Sequence, residues 1–465
     1  MDFFGREAEL SEICAALKST KPEAVLVYGR RRVGKTELIR KALEGAGGLV
    51  ISIEFKRAST RTNLELASSK VAAALGLPAD YVFPTFDALF DHVAAASQGK
   101  RLTLVLDEFS FLLQEERSVD SALSMAIDAY KASSQLKLIV SGSHVGLMQD
   151  LIDANAPLYG RFTRIIKVEP FDYYTSSMFY ESYSPQDKIL MYAVFGGVPF
   201  FNSLIDPERS ALDNVINLVV KKDSLLEHEV AEMILAQTSK VAGLNTVISL
   251  LGSGVCKYSD LVARLSQDKS VNPAYSLNKL QDMGIIRKKA PINDPKNKKR
   301  TIYEFADNLL HFYYRYVFRY QAERNVMDPT DFFEELVRDD FEHFYLPKKF
   351  EGVAAEGIAR LSRLHRIQPV ILDVGAYTFD DAKTRTNRQF DVVTRDARGY
   401  TSYECKYTDA PVGMGVIAEE EAQTADLDID FYRLGFVSKS GFAPDVPADS
   451  YVLVSAKDLY LSSTR

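Results

Sequence analysis

The stretch Gly29-Arg30-Arg31-Arg32-Val33-Gly34-Lys35-Thr36 decides how the first part of this chain folds. It fits the pattern G-x-x-x-x-G-K-[ST], a loop that holds phosphate groups. The apolar run 24–28 before it is typical of a buried strand, and residues 37–43 after it predict the first turns of a helix. Because the motif requires this order of strand, loop and helix, the sequence predicts a nucleotide-binding site here.

Each residue type in this loop has a physical task. Gly29 and Gly34 let the backbone turn back, so that the N–H groups of residues 30–33 can point at phosphate oxygens. Lys35 can reach the β- and γ-phosphates, and the Thr36 hydroxyl is a suitable Mg²⁺ ligand. The helix that follows directs the positive end of its dipole at the bound anion.

Length and composition bound the rest of the chain. With 465 residues, the chain is expected to contain two to four domains. Its composition is that of a globular protein, and no apolar run approaches the ~18 residues of a membrane helix. Because the formal net charge is −7, any contact with nucleic acid must come from a local basic patch.

The termini and the cysteines predict a cytoplasmic protein with no membrane partner. The N-terminal residues 1–6 lack the basic and apolar regions of an export signal. Cys14, Cys256 and Cys405 are few, odd in number and widely spaced, which argues against a disulfide framework.

A second motif follows the phosphate loop by about seventy residues. The apolar strand 102–106 runs directly into Asp107 and Glu108. Ligands of open α/β sheets bind at the carboxyl ends of strands, where these two carboxylates would lie. Asp107 fits the group that holds Mg²⁺, and Glu108 fits the base that polarises the attacking water. The alternative is a solvated strand end.

Two further positions complete the predicted nucleotide site. The strand 136–140 ends in Ser141-Gly142-Ser143, and a hydroxyl there could sense the γ-phosphate or position the water. Ser143 is the candidate, although the pattern does not decide between the two serines or exclude a plain turn. Arg161 lies after this strand, where a charge-neutralising arginine finger is usual; the alternative is a surface arginine.

Four motifs in this order resemble one family. Phe4-Gly5-Arg6-Glu7, the loop 28–36, Leu106-Asp107-Glu108-Phe109 and the stretch 157–161 together look like the prokaryotic AAA+-related ATPases abundant in archaea, near the STAND branch of P-loop proteins. The resemblance covers residues 1–235. It implies a parallel-sheet core with a helical lid at the end of this range.

The same resemblance implies the nucleotide and one more site residue. Gly196-Gly197-Val198-Pro199 is similar to the Gly-x-Pro element that such proteins place near the nucleotide, so Pro199 is a candidate contact. The family implies ATP, and no Asn-Lys-x-Asp motif for guanine follows the sensing strand.

Residues 240–306 predict a winged helix. Helices at 244–251, 258–265 and 273–283 precede a hairpin whose wing, 287–300, holds seven basic residues and one acidic residue. Such a patch suits the phosphate backbone of DNA. The alternative is that this domain packs on the ATPase or on a partner protein. The aromatic-rich stretch after it, within 307–334, predicts a buried helical linker more readily than a base-stacking surface.

The last domain, 335–465, carries a second set of polar residues. Along the predicted strand 402–407, Glu404 and Lys406 point to the same face, and Asp391 arrives from the neighbouring strand. An Asp, a Glu and a Lys on one sheet face suit a Mg²⁺-dependent phosphodiester hydrolase. Asp391, Glu404 and the carbonyl of residue 405 could hold the metal, while Lys406 steadies the hydroxide.

This last domain resembles the PD-(D/E)xK nuclease fold, in the DUF234-type form often fused to such ATPases, and it includes the stretch 436–442. The resemblance implies that Glu356 is a supporting carboxylate on the first helix. Two features depart from the pattern, because no proline precedes Asp391 and Gln389 stands where relatives often carry glutamate. A nuclease-like domain kept only for binding or assembly is the alternative.

The sequence therefore predicts an α/β protein in three parts: a P-loop ATPase core with a helical lid, a winged helix, and a nuclease-like α/β domain. One hypothesis is an ATP-driven enzyme in which nucleotide state controls a nuclease at DNA. The other is a nucleotide-gated switch that binds DNA or protein with an inert C-terminal domain. A homo-oligomer is compatible with both, since an Arg161 finger would act between subunits only in a ring.

Overall fold

The computed structural model describes residues 3–235, 241–265, 271–381, 386–425, 427, 429 and 431–462. The chain separates into two compact units, residues 1–170 and 171–465. Each unit is built around its own five-stranded sheet.

The first unit is an open parallel sheet with helices on both faces. Its strands lie in the order β2-β3-β4-β1-β5, and all four pairings are parallel. Its elements are α1 (Glu7–Lys18), β1 (Glu23–Tyr28), α2 (Lys35–Leu43), β2 (Leu49–Glu54), α3 (Thr60–Leu75), α4 (Phe86–Ala96), β3 (Arg101–Asp107), α5 (Phe109–Glu115), α6 (Val119–Tyr130), β4 (Gln135–Gly142), α7 (Val145–Asp150) and β5 (Arg164–Lys167).

The alternation of side chains along β1 explains why both faces are covered. Val25 and Val27 pack in a core with α1 and α2 on one face. Leu26 points the other way, into a core with α3 to α6. Because both cores exclude water, the inner strands β1, β3 and β4 are buried along nearly their whole length, as is typical of a parallel sheet covered on both faces. The predicted α/β core of a P-loop protein is confirmed.

The strand order decides where the site lies. The chain passes from β1 to the far edge at β2 and returns through β3 and β4, so β4 lies between β1 and β3. The phosphate loop follows β1, and Asp107 ends β3. The residues after β4 are therefore held between these two groups, at the carboxyl edge where ligands of such sheets bind.

The second unit begins with helices and ends in a mixed sheet. Its strands lie in the order β12-β11-β10-β9-β8, with a separate hairpin of β6 and β7. Its strands are β6 (Ile286–Lys289), β7 (Ile302–Phe305), β8 (Asp373–Asp381), β9 (Thr386–Arg395), β10 (Tyr400–Lys406), β11 (Phe431–Ser438) and β12 (Val452–Ser455).

Several helices of this unit continue through π-helical turns at 216–220, 313–317, 333–337 and 341–345, and a 3₁₀ turn covers 177–180. Its α-helices are α8 (Tyr173–Ser176), α9 (Pro185–Phe195), α10 (Pro199–Asn202), α11 (Ala211–Val215), α12 (Leu225–Leu235), α13 (Val241–Gly252), α14 (Tyr258–Leu265), α15 (Pro273–Asp282), α16 (Asn308–Phe312), α17 (Gln321–Arg324), α18 (Pro329–Phe332), α19 (Arg338–Asp340), α20 (Leu346–Arg363), α21 (Met414–Ala425) and α22 (Ala456–Leu459).

The segment expected to be a lid on the ATPase belongs to the second unit. The division at residue 170 places residues 171–235 in the second unit, and the domain bounds 1–235 stay a prediction. The physical reason is a shared core: apolar side chains of α9 to α12 pack with those of α13 to α16 in one cluster. The internal boundaries at 240, 307 and 335 stay predictions.

The elements expected between 240 and 306 are present in the predicted order. Helices α13, α14 and α15 precede the antiparallel hairpin of β6 and β7, and Lys257 forms an isolated bridge with Ile302. The Asn272 side chain caps α15 by accepting from the N–H of Tyr275. The aromatic stretch that follows is buried, with Phe312, Tyr314 and Tyr316 at most 4% exposed. Its interpretation as a buried helix is confirmed.

Candidate functional site

The phosphate loop has the backbone that its glycines permit. Gly34 has φ of 90° and caps the start of α2, and Arg32 has φ of 68°, a conformation uncommon for a residue with a side chain. A Cβ on Gly29 would lie 2.2 Å from the carbonyl oxygen of Val168, so only glycine fits there. The loop backbone is therefore fixed by local geometry, with its left-handed turns just before the helix.

Lys35 is buried at the base of the loop. Its Nζ donates to the carbonyl oxygens of Gly29 at 2.9 Å and Arg30 at 3.1 Å. Burial lowers the pKa of Lys35, while the charges of Glu108 and Asp107 act in the opposite sense. A nucleotide phosphate would replace those carbonyls as the partner of a preplaced ammonium, as the sequence analysis expected.

Thr36 and Asp107 meet across the sheet edge. The Thr36 hydroxyl donates to Asp107 Oδ2 at 2.9 Å, and Ser141 donates to Asp107 Oδ1. The same Oδ1 accepts from the N–H of Glu108 at 3.0 Å. A hydroxyl beside a carboxylate is the hard oxygen donor set that Mg²⁺ prefers. These residues fit the metal, although the position of Mg²⁺ itself stays a prediction.

Glu108 is fixed by the strand beside it. Its Oε2 accepts from the hydroxyl of Ser143 at 2.7 Å and from the Ser143 N–H at 3.2 Å. Glu108 also has φ of 50°, a left-handed conformation that turns the chain sharply after β3. The structure thus distinguishes the two serines: Ser141 contacts Asp107, and Ser143 contacts Glu108. Neither contact could be read from the sequence, because both depend on β4 lying next to β3.

Arg161 forms contacts within its own unit. Its guanidinium pairs with Asp128 at 2.6 Å and donates to the carbonyl oxygens of Pro157 and Tyr159. To act as a finger on a nucleotide, the side chain would have to leave Asp128. Its catalytic role stays a prediction.

The family-like N-terminal motif contains a residue whose role the sequence analysis did not assign. Arg6 is only 7% exposed and donates to the carbonyl oxygens of Val33 and Glu169. It therefore joins the start of α1 to the phosphate loop. Pro199 lies in the second unit, and its contact with nucleotide stays a prediction.

The second unit brings together the predicted residues of its last domain. Tyr403 on β10 pairs with Val392 on β9, so Glu404 and Asp391 follow on one face. Lys406 Nζ lies 3.0 Å from Glu404 and 2.7 Å from Glu420. Burial raises the pKa of Glu404, and the charges of Glu420 and Asp391 raise it further.

Two residues of α20 that the sequence analysis missed face this group. Lys348 Nζ lies 2.6 Å from Asp391 Oδ1 and 2.6 Å from Glu351 Oε2. Gln389 also donates to Asp391, at 2.6 Å. Burial raises the pKa of Glu351 to about 7, and the charge of Asp391 adds to that shift.

Glu356 makes its contacts outside this group. It accepts from the N–H of Tyr173 at 3.1 Å and from the hydroxyl of Tyr192 at 3.1 Å. Five residues along a helix rotate the side chain by about 140° beyond a full turn, so Glu351 and Glu356 face different neighbours. Glu351, and not Glu356, shares the partner Lys348 with Asp391, and the supporting role of either carboxylate stays a prediction.

The carboxylates of the last domain do not form a ready metal site. Among the residues that the structure describes, no group of three acidic, histidine or cysteine side chains could hold a metal ion. Lysine ammonium groups contact Asp391, Glu351 and Glu404 instead. The arrangement does not fit Mg²⁺ as it stands.

Within the same described part of the chain, no helix is both long and apolar enough to cross a membrane.

Two stretches of the chain match known families. Residues 3–201 match a family described as an ATPase domain predominantly from Archaea. Residues 313–424 match a family described as archaea bacterial proteins of unknown function. An uncharacterized protein of Methanocaldococcus jannaschii is 25% identical over 378 residues, which cover 81% of each chain.

Solved structures similar to this chain include two archaeal proteins. The Walker-type ATPase of Pyrococcus abyssi is 19% identical, with a TM-score of 0.49 over 68% of this chain and 96% of that one. The ORC2 protein of Aeropyrum pernix, solved in ADPNP–ADP complexes, is 14% identical, with a TM-score of 0.47 over 70% of this chain and 96% of that one. The phosphate loop and the parallel sheet, together with the match of residues 3–201 to the ATPase domain model, show that the chain contains a P-loop ATPase domain, and residues 313–424 are similar to the second family.

Proposed function

We propose that this ATPase hydrolyses Mg²⁺-bound ATP with Glu108 as the general base and acts at DNA. The role of Glu108 rests on one observation: its carboxylate accepts hydrogen bonds from the hydroxyl and the N–H of Ser143. Glu108 directly follows Asp107 in the chain. A base fixed at the carboxyl edge of the sheet can accept the proton of a water that attacks the γ-phosphorus.

The chain's own residues divide the work of this reaction. Lys35 and the N–H groups of the loop neutralise the charge that develops as the bond between the γ-phosphorus and the leaving oxygen breaks. Thr36 and Asp107 would hold Mg²⁺, which when bound would partly neutralise the negative charge of the β- and γ-phosphates. Ser143 keeps Glu108 pointed at the water.

Two substitutions test this assignment in the full-length protein. Lys35→Ala should abolish retention of a fluorescent ATP analogue, because the phosphates lose their buried ammonium. Glu108→Gln should keep the affinity while phosphate release slows by roughly 10²–10⁴-fold. Glu115→Gln, an exposed carboxylate of α5, is the matched control. Normal hydrolysis by Glu108→Gln would show that the base is another group.

The DNA part of the proposal rests on the basic hairpin in the second unit. Between β6 and β7, Lys296, Lys298 and Lys299 are exposed. In a chain of net charge −7, such a cluster is unusual and suits phosphate contacts. If the hairpin binds DNA, affinity should fall steeply with salt, and the fall should be shallower after all three lysines are changed to glutamine. Salt-independent binding would contradict the proposal.

A second candidate function is nucleotide-controlled cleavage of DNA by the last domain. It is favoured by Asp391, Glu404 and Lys406 sharing one sheet face. The ion pair between Lys348 and Asp391 favours the opposite, an inert domain kept for binding. Incubation of linear and supercoiled DNA with Mg²⁺ or Mn²⁺, with and without ATP, decides between them. Cleavage that Asp391→Ala and Lys406→Ala both abolish would establish the nuclease.

Location and assembly belong to the same proposal. Cys14, Cys256 and Cys405 are all free thiols, which supports the prediction of a reducing cytoplasm. A homo-oligomer in which Arg161 reaches a neighbouring nucleotide predicts that Arg161→Ala lowers turnover only under conditions where the protein assembles.

A further inference from the structure

The loop of the basic hairpin is attached to the edge of the C-terminal sheet. The N–H of Ile292 donates to the carbonyl oxygen of Ala376 on β8 at 2.8 Å. Asn293 bonds the backbone of Thr378 twice: its amide donates to the carbonyl at 2.8 Å, and its Oδ1 accepts from the N–H at 3.1 Å. These bonds give the edge strand backbone partners that it would otherwise lack.

A salt bridge and a close packing contact strengthen this attachment. Arg300 lies 2.6 Å from Asp380 on β8 and also donates to the carbonyl oxygen of Thr378. A Cβ on Gly375 would lie 2.5 Å from Cγ2 of Ile292, so the loop and strand approach as closely as glycine allows. The loop is therefore held from both its ends.

The strand beneath the loop pairs with the strand that carries Asp391. On β8, Tyr377 pairs with Phe390 of β9, and the register shifts between Gly375 and Tyr377, so Ala376 lies beside residues 391 and 392. The hairpin loop is two strand spacings from β9, or about 10 Å. In a DNA duplex that distance corresponds to about three steps of ~3.4 Å.

The exposed lysines of the loop sit next to its anchors. Lys298 and Lys299 immediately precede Arg300, and Lys296 is four residues before it. The basic loop therefore lies at the edge of the sheet, one strand away from the strand that carries Asp391.

We infer that the hairpin lysines and the face carrying Asp391, Glu404 and Lys406 form a single binding surface for double-stranded DNA. The hairpin grips the phosphate backbone, and its attachment to β8 directs the duplex across that face. Lys348 and Lys406 offset part of the negative charge of the carboxylates there, which lowers the repulsion of an approaching polyanion. This inference rests on the proposed DNA function and adds where on the molecule the duplex runs; it holds whether or not the face cleaves DNA.

Photo-crosslinking in the full-length protein tests the path of the duplex. The photoreactive residue p-benzoylphenylalanine would replace Gln389, which is exposed on the Asp391 face, and in a second protein Val326, which is 85% exposed elsewhere in the unit. With a labelled duplex of random sequence, the probe at 389 should crosslink and the probe at 326 should not. Equal crosslinking from both positions would overturn the inference.

Two further variants are made in the protein that carries the probe at 389. They distinguish the effect of the lysines on DNA affinity from the effect of the attachment on the path of the duplex. Replacing Lys296, Lys298 and Lys299 by glutamine should weaken binding and reduce the salt slope by about 3. Three other exposed lysines, changed together, provide the charge-matched control: Lys70, Lys222 and Lys457. Asn293→Ala combined with Asp380→Ala weakens the attachment, because it removes both bonds of the Asn293 side chain and the salt bridge of Arg300, and it leaves every lysine. It should hold affinity within about twofold, since the phosphate contacts remain, yet reduce crosslinking at 389 at least fivefold.

The outcomes distinguish the inference from the function on which it rests. Absence of any duplex binding would overturn both. Lysine-dependent binding without crosslinking at 389 would overturn the single surface and leave the DNA function standing. Crosslinking that survives the loss of Asn293 and Asp380 would likewise overturn the directing role of the attachment.

Discussion

Glu356 provides a quantitative test of the second unit, because its carboxyl is buried between Tyr173 and Tyr192. Burial raises its pKa from the ordinary 4.5 to about 7, against the hydrogen bond from the Tyr173 N–H, which lowers it. The charge of Asp172 raises the pKa further, and that of Arg287 lowers it. Glu356→Gln replaces this carboxyl by a neutral group of the same shape.

The sign of the pH effect follows from proton binding. Between pH 4.5 and about 7 the folded state holds a proton on Glu356 that the unfolded chain has released. The stabilisation is therefore complete below pH 4.5 and is lost as the pH rises through 7. A shift of about 2.5 units corresponds to about 3 kcal/mol. Because the unfolded carboxyl is already mostly ionised at pH 5, Glu356→Gln should gain about 2.5 kcal/mol of unfolding free energy relative to wild type between pH 5 and pH 8.

Thermal unfolding at the two pH values measures this gain. For a unit of this size, about 2.5 kcal/mol corresponds to a difference of roughly 4 °C in the midpoint of its transition. Comparing Glu356→Gln with wild type at each pH cancels other titrating groups, including Glu351. Glu181→Gln, at an exposed position, serves as the control and should show no such change. An equal midpoint difference at pH 5 and pH 8 would refute the buried, protonated carboxyl.

Three further predictions follow from contacts in the two units. Ser143→Ala should lower the turnover number about tenfold or more with little change in ATP affinity, measured by phosphate release, because Glu108 loses its hydroxyl partner; unchanged turnover would contradict the positioning role. Asp128→Ala should release Arg161 and leave turnover undiminished, whereas Arg161→Ala should lower it. If turnover falls in both variants, or in neither, the ion pair does not hold Arg161 in reserve for catalysis. Gly197→Ala should destabilise the second unit by more than about 2 kcal/mol in chemical unfolding, because its Cβ would lie 1.8 Å from a backbone oxygen; a stable variant would exclude that close approach.

The nucleotide site could be predicted because its chemistry is local. The loop 29–36, the helix after it and the acidic end of β3 are each specified by a few adjacent residues. Glycines permit turns that no other residue does, and a continuous apolar run predicts a strand buried on both faces. Those features were read correctly. Which serine touches which carboxylate was left open, because it depends on a strand inserted between two others.

The last domain shows the opposite limit. The period of two along β10 placed Glu404 and Lys406 on one face, and the pairing with β9 added Asp391. The sequence pattern could not say which carboxylate of α20 turns toward that face, and the resemblance named Glu356, whereas Glu351 shares the partner Lys348 with Asp391. The sequence also did not indicate that Lys348 would form an ion pair with Asp391. Helix phase relative to a sheet is set by packing, which a local pattern does not contain.

By itself, the sequence determined the phosphate loop, the acidic end of the strand before Glu108, the order of the elements and the parallel sheet of the first unit. Only the tertiary structure decided that Ser143 fixes Glu108, that residues 171–235 pack with the second unit, and that the basic hairpin is bound to the edge of β8. The reason is the range of the interactions. Turns, caps and strand alternation depend on neighbours along the chain. The contact of Ser143 with Glu108 joins residues 35 positions apart, and that of Asn293 with Thr378 joins residues 85 positions apart. Such contacts contribute free energy only once the sheets and cores have formed.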